Sequence, residues 1–168
     1  MTAPERRAAR PPLHTGGCQC GRVRYALYAE PHNPHICHCR MCQKAFGSAF
    51  APLASVMLDD FAWTRGEPKI FRSSEIVERG FCRDCGTPLS YRSIDAQHLS
   101  IAIGSLDQPA RVAPAVQYGN EGKLAWFETL TSLPAEGFTE DGASPEDISK
   151  RTSRQHPDHE TKDWVPKG

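Results

Sequence analysis

The chain lacks both net charge and long hydrophobic runs. Its 20 basic and 20 acidic side chains cancel, and residues 13–134 hold 12 basic against 11 acidic residues. Such a balance provides no strong positive field to attract nucleic acid or an acidic membrane surface. No apolar stretch approaches the roughly 20 residues that a membrane-spanning helix needs. We therefore expect neither nucleic acid nor a membrane as a partner.

The N-terminus lacks the apolar stretch that a secretory signal peptide places after its basic residues. With no oxidising compartment indicated, the seven cysteines are expected to be reduced, and their odd number favours the same interpretation. We therefore expect a cytoplasmic protein whose thiolates bind metal.

Alternation between strands and long helices is missing too, and the sequence has no internal repeat. Short apolar segments separated by turn residues indicate a single, mainly β domain with short helical turns. The folded unit is predicted to span 13–134, between a disordered basic tail at 1–12 and an extended or disordered tail at 135–168. Strands are predicted over 22–28, 48–58, 61–66, 69–72, 75–81, 89–92, 98–103, 112–118 and 124–130, and a helical turn over 43–46.

The seven cysteines fall into three groups, which are Cys18 with Cys20, Cys37 with Cys39 and Cys42, and Cys82 with Cys85. Side chains two apart in an extended chain point the same way, and two cysteines separated by two residues on a turn form a zinc knuckle. Pairing the first and last groups completes a four-thiolate structural site and leaves the middle group for a second zinc. The alternative, a four-thiolate site that uses the middle group, leaves a pair elsewhere. We therefore expect two zinc ions per chain.

The middle group, Cys37, Cys39 and Cys42, offers one ligand fewer than a tetrahedral zinc needs. Structural zinc sites usually have four protein ligands, whereas catalytic sites keep one position open. A thiol bound there would become a thiolate near neutral pH and could attack an aldehyde carbon. Alternatively, His35 or His38 completes the site and makes it structural. His38 is also a candidate acid, base or substrate contact.

Other side chains are weaker candidates. Four basic residues near the cysteine groups are able to hold substrate carboxylates, with a solvated surface charge as the alternative role, namely Arg40, Lys44, Arg79 and Arg83. Two histidines of the predicted tail lack companion ligands and are interpreted as surface residues, namely His156 and His159. Three large aromatic residues are expected in the core, namely Trp63, Trp126 and Phe127.

Three segments resemble the glutathione-dependent formaldehyde-activating (GFA) enzyme family, which also includes the domain of centromere protein V. They are 17–25 (GCQCGRVRY), 37–42 (CHCRMC) and 79–89 (RGFCRDCGTPL). The resemblance covers about residues 14–134, and all seven cysteines fall on family positions. It implies a β-tent-like fold with a structural zinc on Cys18, Cys20, Cys82 and Cys85.

The same resemblance implies a catalytic zinc on Cys37, Cys39 and Cys42, open to a small thiol such as glutathione. The family's named reaction adds glutathione to formaldehyde and gives S-hydroxymethylglutathione, which in reverse is a carbon–sulfur lyase activity. The chain departs from the family pattern twice. Gln43 follows the third cysteine where many members have arginine, and 115–118 lacks the histidine often seen there.

The sequence therefore predicts a zinc-dependent, carbon–sulfur lyase-like enzyme that acts on a thiol–aldehyde adduct, with catalytic residues Cys37, Cys39, Cys42 and His38. A non-catalytic, zinc-stabilised protein-binding domain is the alternative. The oligomeric state is left open, and a homo-oligomer is allowed.

Overall fold

The computed structural model describes residues 2–166, and over this range the protein is mainly β with a few short helices, as predicted. The strands are β1 (His14–Gly17), β2 (Arg24–Leu27), β3 (His32–Cys37), β4 (Ala51–Met57), β5 (Phe61–Arg65), β6 (Lys69–Ser74), β7 (Val77–Phe81), β8 (Pro88–Ser93), β9 (His98–Ala102) and β10 (Val116–Tyr118). The α-helices are α1 (Ala3–Ala8), α2 (Arg40–Phe46) and α3 (Pro145–Lys150). Short 3-10 helices lie at Leu58–Asp60, Ile103–Ser105, Pro109–Arg111, Asn120–Gly122 and Ala125–Ser132.

Two open sheets form the body of the protein. The smaller sheet has the order β1-β2-β5, and the larger has the order β10-β3-β4-β9-β8-β7-β6. Neighbouring strands are antiparallel except β10, which pairs with β3 in parallel. Neither sheet closes on itself, so each ends in edge strands.

One hydrophobic cluster joins the two sheets. Tyr25 and Leu27 come from β2 of the smaller sheet, while Val56, Leu89 and Ile101 come from the larger one, and each is at most 1% exposed. Strict alternation of buried and half-buried residues is found in β1 of the smaller sheet, whereas β4 and β9 of the larger sheet are buried over four consecutive residues each. β2 is buried throughout, because residues of both faces are covered.

The predicted helical turn over 43–46 is present as α2, which begins three residues earlier at Arg40. It ends at Gly47, whose φ of 58° is a left-handed conformation that glycine adopts at little cost. The predicted strand over 112–118 shortens to Val116–Tyr118. Pro114 in this segment has no backbone N–H to give to a ladder.

The strand predicted over 124–130 is wrong, because Ala125–Ser132 forms a 3-10 helix. Leu124, Phe127 and Leu130 are half-buried, whereas the residues between them are exposed. A spacing of three is the period of a 3-10 helix and does not fit the two-residue period of a strand. Trp126 consequently points outward and is 51% exposed, so the expectation that it lies in the core is also wrong.

The C-terminal segment 155–166, called the strap below, lies against the body of the protein. His156 is 3% exposed, so its interpretation as a surface histidine is wrong, while His159 is exposed. The backbone N–H of His156 donates to the backbone carbonyl of Gln19 at 2.8 Å. A Cβ at Gly21 would lie 2.4 Å from the His156 ring, so the absence of a side chain there makes room for the histidine. Over residues 2–166, no helix is long and apolar enough to cross a membrane.

Candidate metal centres

Four cysteine sulfurs come together where the two sheets meet. The Sγ atoms of Cys18, Cys20, Cys82 and Cys85 all lie within 4.8 Å of one another. Cys20 Sγ is 3.5 Å from Cys18 Sγ and 3.8 Å from Cys82 Sγ. A tetrahedral zinc with Zn–S bonds of about 2.3 Å separates its sulfurs by about 3.8 Å. The cysteines are free thiols, and their spacing fits a closed four-thiolate zinc site.

Two backbone loops present these sulfurs. In the loop between β1 and β2, the Val23 N–H donates to Cys18 Sγ at 3.2 Å. In the loop between β7 and β8, the Gly86 N–H donates to the Cys82 carbonyl at 2.9 Å, and Gly86 has a φ of 76°. The Thr87 hydroxyl accepts the Gln19 N–H at 3.0 Å and therefore ties the two loops together.

Burial and hydrogen bonding act differently on the four thiols. Burial raises the pKa of Cys18 well above its ordinary range. Burial also opposes ionisation of Cys85, but hydrogen bonds from the Thr87 hydroxyl and backbone N–H outweigh it and lower the pKa of Cys85 to about 6. A zinc ion bound here would supply the positive charge that a cluster of buried and half-buried thiolates needs.

The strap covers this four-cysteine site. The Trp164 indole N–H donates to the Cys20 carbonyl at 2.8 Å. The buried Arg24 guanidinium pairs with Asp107 at 2.6 Å and with Glu160 of the strap at 2.9 Å. The strap thereby contacts both the loop between β1 and β2 and the first residue of β2.

The remaining three cysteines form a second group, whose Sγ atoms also lie within 4.8 Å of one another. Cys37 is the last residue of β3, Cys39 is the N-cap of α2, and Cys42 is buried in its first turn. The Gln43 N–H donates to the Cys39 carbonyl at 3.1 Å, which starts the helix and brings Cys42 back towards Cys39. The structure therefore brings the cysteines together in the two groups that their spacing favours.

The second group, called the triplet below, borders an open cavity of about 310 Å³. A cavity of about 410 Å³ also borders Cys18 and Cys85, so cavity size does not separate the two centres. The number of sulfurs does separate them, because four close a tetrahedron and three leave one position for another ligand. Burial raises the pKa of Cys37 to about 12. Burial likewise opposes ionisation of Cys39, yet hydrogen bonds from the Cys42 backbone N–H and the neighbouring thiols lower its pKa.

Neither candidate histidine joins the triplet. Among residues 2–166, the grouped metal-ligating atoms at this centre are the three sulfurs. His38 is fully buried, its ring packs 4.6 Å from Phe127, and its Nε2 lies 3.0 Å from Gln117 Oε1. His35 lines the cavity, but its Nδ1 lies 2.7 Å from the Asn33 carbonyl. These contacts suit His38 to positioning the loop that carries Cys37 and Cys39.

Of the four basic candidates, Arg79 reaches the triplet. Its Nη2 donates to Cys42 Sγ at 3.4 Å, and it is 6% exposed. Arg40, Lys44 and Arg83 are exposed. Arg40 Nη1 donates to Gln43 Oε1 at 3.2 Å.

The loop behind the triplet involves Gly119 and Gly122, which the sequence patterns did not single out, and Gln43, which they marked only as a departure from the family pattern. The Gln43 amide donates to the carbonyls of His38 at 2.9 Å and Gly122 at 2.8 Å. A Cβ at Gly119 would lie 2.6 Å from the Cys39 backbone N, and one at Gly122 would lie 2.6 Å from the His38 carbonyl. In the sequence, the two glycines that flank Asn120 and Glu121 were the available sign of this contact. A loop that approaches the backbone of His38 and Cys39 so closely leaves no room for a side chain and therefore requires glycine.

A family model described as "Glutathione-dependent formaldehyde-activating enzyme" matches residues 13–120. The chain belongs to this family. A Podospora anserina protein that carries the GFA enzyme name is 36% identical over 83 residues, which are 48% of this chain and 38% of that protein. A Phaeosphaeria nodorum protein of the same name is 24% identical over 133 residues, which are 78% of this chain and 64% of that protein.

A Schizosaccharomyces pombe protein named as an uncharacterised lyase is 28% identical over 80 residues, which are 48% of this chain and 58% of that protein. These alignments thus span between 38% and 64% of the length of the curated relatives. The crystal structure of a Rhodobacter sphaeroides protein matches with a TM-score of 0.50 at 22% identity, covering 61% of this chain and 98% of that chain. At this identity the likeness concerns the fold alone.

Proposed function

We propose that the chain is a carbon–sulfur lyase-like enzyme that makes or breaks a thiol–aldehyde adduct at a zinc ion held by Cys37, Cys39 and Cys42. We take glutathione and formaldehyde as the substrates, because the family and its named relatives are described as glutathione-dependent formaldehyde-activating enzymes. One observation carries the proposal. The triplet has three sulfurs beside a cavity of about 310 Å³, while the other four cysteines form a complete site of their own.

The chemistry is an addition to a carbonyl group. A zinc ion at the triplet would lower the pKa of a substrate thiol in its open position. In the addition, the substrate sulfur would lose its proton and bond to the formaldehyde carbon, the carbonyl electron pair would move to oxygen, and that oxygen would take up a proton in place of the one that the thiol lost. In the protein, the three cysteines would bind the zinc ion, and the Arg79 guanidinium contacts Cys42 Sγ. His38 anchors the loop through Phe127 and Gln117, a positioning role.

Further features follow as proposals. The free state of all seven cysteines supports a cytoplasmic location. The family match over 13–120 supports a GFA domain at 13–134 between the segments 1–12 and 135–168. The near-neutral domain supports small molecules over nucleic acid as partners.

The proposal is tested with the full chain, loaded with zinc, in a mixture of glutathione and formaldehyde. Exchange between free glutathione and its hydroxymethyl adduct is followed by NMR. We expect the chain to accelerate this exchange, and Cys39→Ser to return it to the uncatalysed rate because the open metal position is lost. If a chain with two bound zinc ions gives the uncatalysed rate, the activity proposed is wrong, and the non-catalytic binding domain is the better account.

A further inference from the structure

Arg79 is a buried cation that faces the triplet. It lies on β7, its Nε donates to Ser73 Oγ at 3.2 Å, and its guanidinium sits 5.0 Å from the centre of the Tyr91 ring. Its Nη2 donates to Cys42 Sγ, while its Nη1 is buried and has no hydrogen-bond partner among residues 2–166. These contacts fix the guanidinium in one orientation at the wall of the cavity.

Arg79 has no carboxylate partner within the part of the chain that the structure describes, unlike Arg24, the other buried arginine. Arg24 pairs with both Asp107 and Glu160. A buried charge that lacks an opposite charge is strongly destabilising, so burial of Arg79 requires a negative group close by. The group that its contacts offer is Cys42 Sγ, at 3.4 Å, which would carry a negative charge as a metal-bound thiolate.

The net charge of the metal–thiolate centre indicates what this contact does. Three thiolates around a zinc ion carry a net charge of about −1, and the Arg79 guanidinium makes the sum neutral. A substrate thiolate entering the open position adds a further negative charge. Without Arg79, the negative charge of the metal–thiolate centre and that of the substrate thiolate would lie together in a half-buried site with no cation beside them. Charges in such a site are poorly screened, so they would repel each other strongly.

We propose that Arg79 is the counter-ion of the metal–thiolate centre. As a positioning residue, it stabilises the Cys42 thiolate, strengthens metal binding at the triplet and favours an incoming thiolate of any structure. The inference rests on the proposed function, since it requires a metal at the triplet.

Metal affinity is the first test. Zinc binding to the full chain is measured by competition with a chelator for the wild type, Arg79→Met, Arg79→Lys and Arg72→Met. Arg72 is an exposed arginine on the neighbouring strand β6 and serves as the matched control. We expect Arg79→Met to weaken zinc at the triplet by about 10- to 100-fold, the usual effect of removing a group that supports a metal ligand. Arg79→Lys should recover part of that loss, and Arg72→Met should behave as wild type.

The four-cysteine site reports folding in the same experiment, because its zinc should stay bound in every variant. If Arg79→Met binds zinc at the triplet as tightly as the wild type, the proposed role of Arg79 is wrong. It is also wrong if Arg79→Met and Arg79→Lys lose the same zinc affinity. A wild-type chain that binds one zinc overturns the proposed function, and this inference falls with it.

Thiol binding is the second test and separates a counter-ion from a carboxylate anchor. The triplet is saturated with Co²⁺, and the thiolate-to-cobalt absorption is titrated with glutathione and with the uncharged thiol 2-mercaptoethanol. A counter-ion acts on the sulfur, so Arg79→Met should weaken both thiols by about tenfold, the effect expected of one nearby opposite charge. Weakening of glutathione alone would show that Arg79 binds a substrate carboxylate, and the inference would be wrong. Unchanged binding of both thiols would overturn it too.

Discussion

At the scale of single residues, burial separates cysteines that look alike in the sequence. Cys82 is fully buried and belongs to the core cluster that contains Leu89 and Tyr25. Cys39 is half-buried at the start of α2 and lines the cavity. Loss of the Cys82 sulfur would therefore disturb the core itself, whereas loss of the Cys39 sulfur would disturb a site at a cavity wall.

Cys82→Ser and Cys39→Ser should therefore have different effects on stability. Structural zinc contributes apparent free energies of about 10–16 kcal/mol in small peptides, comparable to the whole stability of a domain. We expect Cys82→Ser to abolish cooperative folding. Cys39→Ser should lose the second metal with little change in the free energy of unfolding.

Chemical denaturation followed by circular dichroism, with zinc content measured on the same samples, checks this pair. Serine keeps the size of the side chain in both variants. Equal destabilisation by the two substitutions would contradict the division into a structural and a catalytic centre.

At the scale of elements, the strap shows how a polar segment docks on a folded body. Its composition predicts an extended or disordered tail, but His156, Trp164 and Glu160 each meet a partner of the β1–β2 region. Glu160 also accepts a hydrogen bond from buried Arg24, which pairs with Asp107 as well, and it lies 3.9 Å from Arg65. These few hydrogen bonds and the ion pair hold the strap against the body, although the strap has little apolar surface to bury.

Docking of the strap should depend on pH through His156. Burial lowers its pKa, as do the cations of Arg24 and Arg65, against the opposing influence of Asp107. Thr161 Oγ1 lies 2.9 Å from its Nε2. When the strap is undocked the histidine titrates near its ordinary value of about 6.5. Docking is therefore fully favourable above that pH and weakens as the pH falls below it, because the free histidine binds a proton that the docked one does not.

Hydrogen exchange of the His156 amide, corrected for the intrinsic rate, measures this effect between pH 7.5 and 5.5, roughly the range that brackets an ordinary histidine. We expect protection to fall across this interval in the wild type and to vary little in His156→Gln. The exposed His159 provides the control, since His159→Gln should keep the wild-type profile. Constant protection of the wild-type amide would exclude the histidine as the source.

At the scale of the whole molecule, the four-cysteine site links distant parts of the chain. Cys18 and Cys20 lie between β1 and β2 of the smaller sheet, whereas Cys82 and Cys85 lie between β7 and β8 of the larger one. A metal held by both pairs therefore connects the two sheets beside their shared core. The triplet lies within the larger sheet and α2 alone.

Removal of zinc should for this reason proceed in two steps. We expect two zinc ions per folded chain, and a chelator should withdraw the ion at the three-sulfur centre first because it has fewer protein ligands. β-sheet circular dichroism should persist through the first step and disappear with the second. Loss of the β signal together with the first zinc would contradict this order.

Much of the site was predictable because its ligands are local. Cys37, Cys39 and Cys42 are brought together by one strand end and one helical turn, and each outer pair sits on a single loop. The mainly β fold was likewise predictable from short apolar segments. The 3-10 helix at Ala125–Ser132 was missed because its three-residue spacing was interpreted as a strand.

The sequence by itself determined the three local groups of cysteines and the class of fold, since both depend on spacings of a few residues. Only the tertiary structure decided which distant groups meet these elements. It placed Arg79 against Cys42, His38 between Phe127 and Gln117, and the strap over the four-cysteine site. Such contacts join residues tens of positions apart, and they depend on how the two sheets pack together.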